Sequence, residues 1–167
     1  SQIVLTRDVT ERFAAIEPHS ARLVTNESFD DDLIQSVRRM QEIAQVEGRY
    51  TAHGRIRRAD SNDWYQLSLT ALDDFAAIRT DKIWSERGTY PPREREILIE
   101  RSALDFIKAQ VGDVVEIEMP SGRKRELRIA GVVRDLNAIP PIYSAPVVGY
   151  IDMDSLEWLG EPRAFNE

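Results

Sequence analysis

Residues 111–135 read VGDVVEIEMPSGRKRELRIAGVVRD and constrain the fold more than any other stretch. Two runs of alternating apolar and polar residues flank a Pro-Ser-Gly turn, the signature of a hairpin. Val115, Ile117 and Met119 have odd numbers, and so do Leu127, Ile129, Gly131 and Val133. Facing residues of an antiparallel pair have a constant sum of numbers, so odd meets odd only if that sum is even. A two-residue Ser-Gly turn would set Ile117 against Glu126 and draw charge into the core. A three-residue loop with Gly122 in a left-handed conformation keeps Val115, Ile117, Leu127 and Ile129 on one face. Glu116, Glu118, Lys124 and Arg128 then face solvent. The polar face converges on no reaction, so the ribbon is expected to carry shape, as a two-stranded arm.

The rest of the chain alternates strand and helix signals. Val9, Phe13 and Ile16 share a helical face over residues 8–17, and Pro18 ends that stub. Ser20 to Thr25 reads as a first strand. A helix over about 28–40 follows, capped by Ser28 with Asp31 as capping-box partner, its stripe Leu33, Ile34, Val37 and Met40 or Gln41. A long strand over 43–58 contains Gly48 and Gly54, which suggest a bulge or bend. Residues 59–63 form a turn, and WYQLSLTAL (64–72) is a cleanly alternating strand. A short helix is expected over 73–84, a loop up to a strand at Glu96–Glu100, and a helix over 101–111 stopped by Gly112. A Pro-rich loop (137–146) leads to a final strand, VVGYID, and a terminal helix, MDSLEWL. Strands mixed with single helices place the chain in the α+β class.

Composition bounds the chemistry. In 167 residues, 42% are apolar, enough for a real core. The net charge of -7, with acids and bases interleaved, argues against nucleic-acid binding. Without cysteine, disulfide and thiolate chemistry are excluded. His19 and His53 are the only histidines and share no metal-ligand spacing. Asp30-Asp31-Asp32 and Asp73-Asp74 read as helix starts rather than acid/base pairs. An enzyme using Asp73 and Asp135 would need them in one cleft. No GxSxG, phosphate loop or calcium loop is present. Catalytic, cofactor-binding and metal residues are therefore all expected to be none. Arg57-Arg58 and Arg123-Lys124-Arg125 read as solvated strand ends, with anionic lipid headgroups as the other reading. Trp64, Trp84 and Trp158 read as core or half-buried anchors. One loop stands out: Ile139, Pro140, Pro141, Ile142 and Tyr143 are apolar between polar flanks and outside any periodic element, which makes them a candidate contact surface.

The order of these pieces resembles the extracytoplasmic domain of MacB/FtsX-like ABC transporter permeases. IAQVEGRYTAHGRI is similar to that family's Val-x-Gly entry to a long strand. IWSERGTYPPREREILIERSALDFI is similar to its x-x-Gly-x-x-Pro, strand, helix segment. VGDVVEIEMPSGRKRELRIAGVVRD is similar to its Gly-Asp-x-Val ribbon, and VVGYIDMDSLEWLG to its closing strand and helix. The resemblance spans about residues 20–160. It implies a juxtamembrane stub (1–19), a mixed α/β subdomain near the membrane (20–85 and 136–160), a smaller β-rich subdomain with the long hairpin (86–135) and a tail (161–167). It implies no catalysis and no cofactor. The implied partners are flanking transmembrane helices of the same permease, a cytoplasmic ATPase, a permease dimer mate, and a substrate or adaptor protein. The start at Ser1 rather than Met fits a piece cut from such a protein. A domain held between two membrane spans should bring its two ends together. The alternative is a free-standing extracytoplasmic module that binds a peptide or ligand, with a concave apolar pocket.

Overall fold

A computed structural model describes residues 21–41, 43–78 and 80–167. The stub at 8–17 and His19 lie outside the described residues. The elements, in chain order, are α1 (Asp31–Arg38), β1 (Tyr50–Arg58), β2 (Tyr65–Leu72), β3 (Trp84–Gly88), β4 (Glu96–Glu100), α2 (Arg101–Phe106), β5 (Val114–Glu118), β6 (Lys124–Arg134), a 3-10 turn (Pro141–Tyr143), β7 (Val147–Asp152) and α3 (Met153–Leu159). All seven strands belong to one mixed sheet, and the fold is α+β.

The hairpin has the register that its parity demands. Val115 faces Leu127 and Ile117 faces Arg125. The loop is Pro120-Ser121-Gly122, closed by the Met119 N–H on the Arg123 carbonyl at 2.9 Å and by the Gly122 N–H on the Met119 carbonyl at 2.8 Å. Gly122 sits at φ +81 with open space around its Cα. A side chain there meets no clash, only left-handed strain. Gly122→Ala is therefore expected to cost about 1 kcal/mol, measured as a shift in the urea midpoint at unchanged slope.

The ribbon is not a free arm. β5 pairs on its second edge with β1, Ile56 facing Ile117. β6 pairs with β4 on one edge, in parallel, and with β5 and then β3 on the other. β4 continues to β7, β7 to β2 and β2 to β1. Six strands, β6–β4–β7–β2–β1–β5, thus close into a ring, with β3 as an added edge. Closure pairs every strand of the ring on both sides, which removes exposed edges.

The larger core cluster joins Ile56, Leu67, Leu69, Ile97, Ile99, Val115, Ile117, Leu127 and Ile129 from the strands to Ala103, Leu104, Ile107, Met153, Leu156 and Leu159 from the helices. A smaller cluster, Leu72, Phe75, Ile83, Leu98, Ala130, Val133 and Tyr150, sits on the other face. The strict odd parity expected through Val133 does not survive. Ile97 faces Ile129 but Leu98 faces Gly131, so Ala130 is an extra residue in β6. Such a bulge moves every later side chain to the opposite face. Val132 joins Leu127 and Ile129 in the larger cluster, and Val133 turns to the smaller one.

Several local expectations are corrected. Residues 21–25 form no strand, and 43–49 are not part of β1. The cap of α1 is Asp30, whose carboxylate accepts from the Asp32 N–H, not Ser28. Of the α1 stripe only Ile34 is buried, while Leu33 and Met40 are exposed. Gly54 marks a close approach rather than a bulge: a Cβ there would lie 2.6 Å from the Glu118 carbonyl oxygen. The described residues of 73–83 make turns instead of a helix, and Trp84 starts β3. α2 ends well before Gly112. Lys108 adopts φ +54; the Ala109 N–H reaches the Leu104 carbonyl and the Lys108 N–H that of Asp105. That is a Schellman closure built on a lysine.

Candidate functional site

The loop holding Ile139, Pro140, Pro141, Ile142 and Tyr143 runs between β6 and β7 and is rooted at both ends. Asp135 accepts from the Asn137 N–H at 2.8 Å and from the Tyr150 hydroxyl. The Asn137 side chain donates to Asp81 at 3.1 Å. Ser144, at φ 65, closes the 3-10 turn with its N–H on the Pro141 carbonyl. Pro141 is buried and the turn lies against α2. Ile139 and Ile142 remain 61% and 69% exposed. Pro pre-sets the backbone on both sides of this turn, so the two isoleucines are presented at low entropic cost.

Burial pushes the Tyr150 phenol well above its usual 10.0, and the charge of Asp135 and its hydrogen bond add to this. The folded chain therefore keeps a proton that the unfolded chain loses near the ordinary value. The stability tied to it is fully present below that value and is lost as pH rises past it. Tyr150→Phe is expected to flatten the loss of stability between about pH 10 and pH 11, read by denaturant unfolding at each pH. Some slope should persist, because burial, then Glu161, lifts Tyr50 to about 12.

The two described ends meet. The Phe29 N–H donates to the Phe165 carbonyl at 2.7 Å and the Phe165 N–H returns the bond at 2.8 Å. The Thr25 N–H donates to the Asn166 carbonyl at 3.0 Å, and Arg22 pairs with Glu167. Asn166 copies a strand partner with its side chain: it accepts from the Thr51 N–H at 2.8 Å and donates to the Thr51 carbonyl at 2.9 Å. Beside this clasp is a cleft of about 440 Å³, its floor including Ile34, Gly48, Leu72 and Phe165, its rim including Asp31, Arg38, Asp73 and Asp74.

The remaining sequence candidates are dispersed. His53 is exposed. Asp73, Asp154 and Glu157 all turn to Arg163, at 3.6, 2.6 and 3.0 Å. Asp135 is held by Tyr150 and does not join Asp73. No group of three His, Asp or Glu gathers among the described residues in a metal-holding arrangement. Trp64 and Trp158 are half-buried under cationic side chains: Arg55, Arg57 and Lys124 over Trp64, Arg95 and Arg125 over Trp158. Trp84 is no anchor; it lies 38% exposed on the edge strand. Arg55 and Arg57 reach Trp64 across the β1–β2 turn, whereas Lys124 over Trp64 and Arg95 and Arg125 over Trp158 join elements distant in the chain, for which sequence spacing carries no signal.

No family model and no curated protein matches the chain. Solved structures do. The extracellular domain of the noncanonic ABC-type transporter YknZ from Gram-positive bacteria superimposes with a TM-score of 0.58 at 12% identity, covering 86% of this chain and 78% of that one. The periplasmic region of MacB from Actinobacillus actinomycetemcomitans gives a TM-score of 0.49 at 12% identity, over 78% of this chain and 58% of that one. No helix among the described residues is long and apolar enough to cross a membrane. The superposition shows that the chain shares its fold with the extracellular domain of YknZ.

Proposed function

We propose that this chain is the extracytoplasmic domain of an ABC transporter permease, without catalytic activity of its own. It is held between membrane-spanning helices of the same polypeptide and works with a cytoplasmic ATPase and a dimer mate. The observation that carries the reading is the clasp: residues 22–29 and 165–167 lie side by side, joined by backbone hydrogen bonds and the Arg22–Glu167 pair. A domain inserted between two spans must return the chain to the membrane where it left. The clasp also makes the domain one lever, so that a displacement of either span moves the whole ring. ATP hydrolysis on the far side would shift this lever between two states. Ile139, Pro140, Pro141, Ile142 and Tyr143 form the contact loop of the proposal, meeting a substrate or adaptor protein.

These 167 residues hold no cysteine, so a thiol introduced among them, read against the unsubstituted parent, gives a direct test. Asn62 is exposed in the turn between β1 and β2. In cells expressing the parent gene, Asn62→Cys is expected to react with a membrane-impermeant maleimide before lysis. Labelling only after lysis would place the domain in the cytoplasm and end the reading. For the loop, the Ile139→Asp/Ile142→Asp double variant is expected to leave the unfolding midpoint within about 0.5 kcal/mol of the parent, as surface changes do, and to abolish transport by the whole transporter. Undiminished transport would remove the loop from the contact surface. A small ligand that saturates the cleft beside the clasp, from a parent gene with no apolar stretch of about 20 residues on either side, would favour the free-standing binding module instead.

A further inference from the structure

The two cation-bearing indoles differ in one respect. Around Trp64 the charges are already answered: Arg55 pairs with Glu118 at 2.8 Å, Arg57 with Glu116 at 3.2 Å, and Lys124 lies 3.7 Å from Glu118. Around Trp158 they are not. The Arg95 and Arg125 guanidinium carbons sit 4.9 and 5.5 Å from its ring centre. Arg125 donates to the Lys124 carbonyl at 3.0 Å and meets no carboxylate among the described residues. Arg95 has, among the described residues, only its neighbour Glu94, at 3.3 Å, with both side chains more than half exposed. An exposed pair of that kind contributes little. Two like charges gathered at one ring repel each other, and an oxyanion between them would relieve this.

The backbone is spent on this arrangement. Arg95 is in the left-handed region at φ 64, a conformation that costs a non-glycine residue about 1 kcal/mol. Its N–H is held by the hydroxyl of the fully buried Ser155 at 2.8 Å, and its carbonyl accepts from the Arg128 N–H at 3.1 Å. Strain of this sort, fixed by buried partners, points to a presented side chain. Beneath the two arginines lies an open cleft of about 390 Å³, lined by Arg95, Glu116, Lys124, Arg125, Glu126 and Trp158.

We propose that the Trp158 cleft is a docking site for an acidic segment of a partner protein, whose carboxylates take the guanidinium forks of Arg95 and Arg125. Arginine forks match carboxylates bidentately. Glu116 and Glu126 stand in the same cleft, so a densely charged polyanion meets repulsion there, whereas carboxylates spaced along a peptide do not. The site is independent of the transporter reading, since an acidic partner could meet this face in any setting.

The test is a titration of the 167-residue chain with a peptide of spaced carboxylates, three glutamates separated by pairs of glycines, at low salt, followed by amide and indole NMR. The expected result is a saturable shift of the Trp158 indole N–H and of the Arg95 and Arg125 amides, with the Trp64 indole unmoved. Arg125→Gln is expected to weaken binding about tenfold, the loss of one charge-assisted fork, with the amide spectrum away from the cleft unchanged. Arg125→Lys should recover only part, because it restores the charge and not the fork. No saturable shift, equal shifts at Trp64, or equal binding after Arg125→Gln would overturn the proposal. So would inorganic phosphate matching the peptide at equal charge, which would mean unselective anion binding, or phosphatidylglycerol vesicles binding through Trp158 when the peptide does not.

Discussion

Gly131→Ala is expected to lower the unfolding free energy by about 3 kcal/mol, against about 1 kcal/mol for Gly122→Ala. A Cβ on Gly131 would stand 2.8 Å from the carbonyl oxygens of both Arg87 and Thr89, and 3.2 Å from a Leu98 methyl. The two carbonyls are main-chain atoms of β3 and of the turn leaving it, and they cannot swing away as a long side chain would. At Gly131 the chain is squeezed from both edges, with Gly88 opposite on β3 and Leu98 opposite on β4. The alanine must push β3 off β6 or distort the bulge at Ala130. Urea unfolding of the two variants side by side is the measurement. Equal costs would mean that β3 does not approach β6 this closely, and faster amide exchange confined to β3 and β6 would locate the damage.

The same junction explains what could and could not be read from the sequence. The hairpin register was legible because parity and charge demand an odd loop, and Pro120-Ser121-Gly122 supplies one that keeps Val115, Ile117, Leu127 and Ile129 on one face. β4 and β7 were legible as short apolar runs with clear flanks. β3 was not. Its five residues, Trp84 to Gly88, are all exposed. It is held by backbone bonds to β6, with a bulge of its own after Ser85. An edge strand buried on neither face has no period to detect. The bulge at Ala130 was hidden because IAGVV is apolar on both parities, so a change of face leaves no trace in composition. The end of α2 was misread because a lysine, not a glycine, takes the left-handed position. The clasp and the Trp158 stack both join segments far apart in sequence, and only the closed ring brings them together. What the residues 139–143 could announce was exposure of apolar surface against a polar background, and Ile139 and Ile142 are exposed.

Ile117→Ala is expected to cost about 4 kcal/mol and to loosen strands on both sides of β5. Ile117 is fully buried in the larger core cluster. On one edge it faces Ile56 of β1, itself fully buried, and on the other Arg125 of β6. β5 is the strand that closes the ring, so the cavity left by the lost carbons opens beneath the seam between β1 and β6. An arm would behave differently. If β5 and β6 only projected from the core, the variant would speed amide exchange in those two strands and leave β1 and β2 protected. In a ring, the strain of closure is shared, and β1 and β2 must lose protection together with β5 by a comparable factor. Native-state hydrogen exchange under mild denaturant separates the cases. The distinction bears on the proposed function: under that proposal a ring closed at β5 would carry a push at the clasp across to the Trp158 cleft and the 139–143 loop as one body, whereas an open sheet with a hinged arm would absorb it.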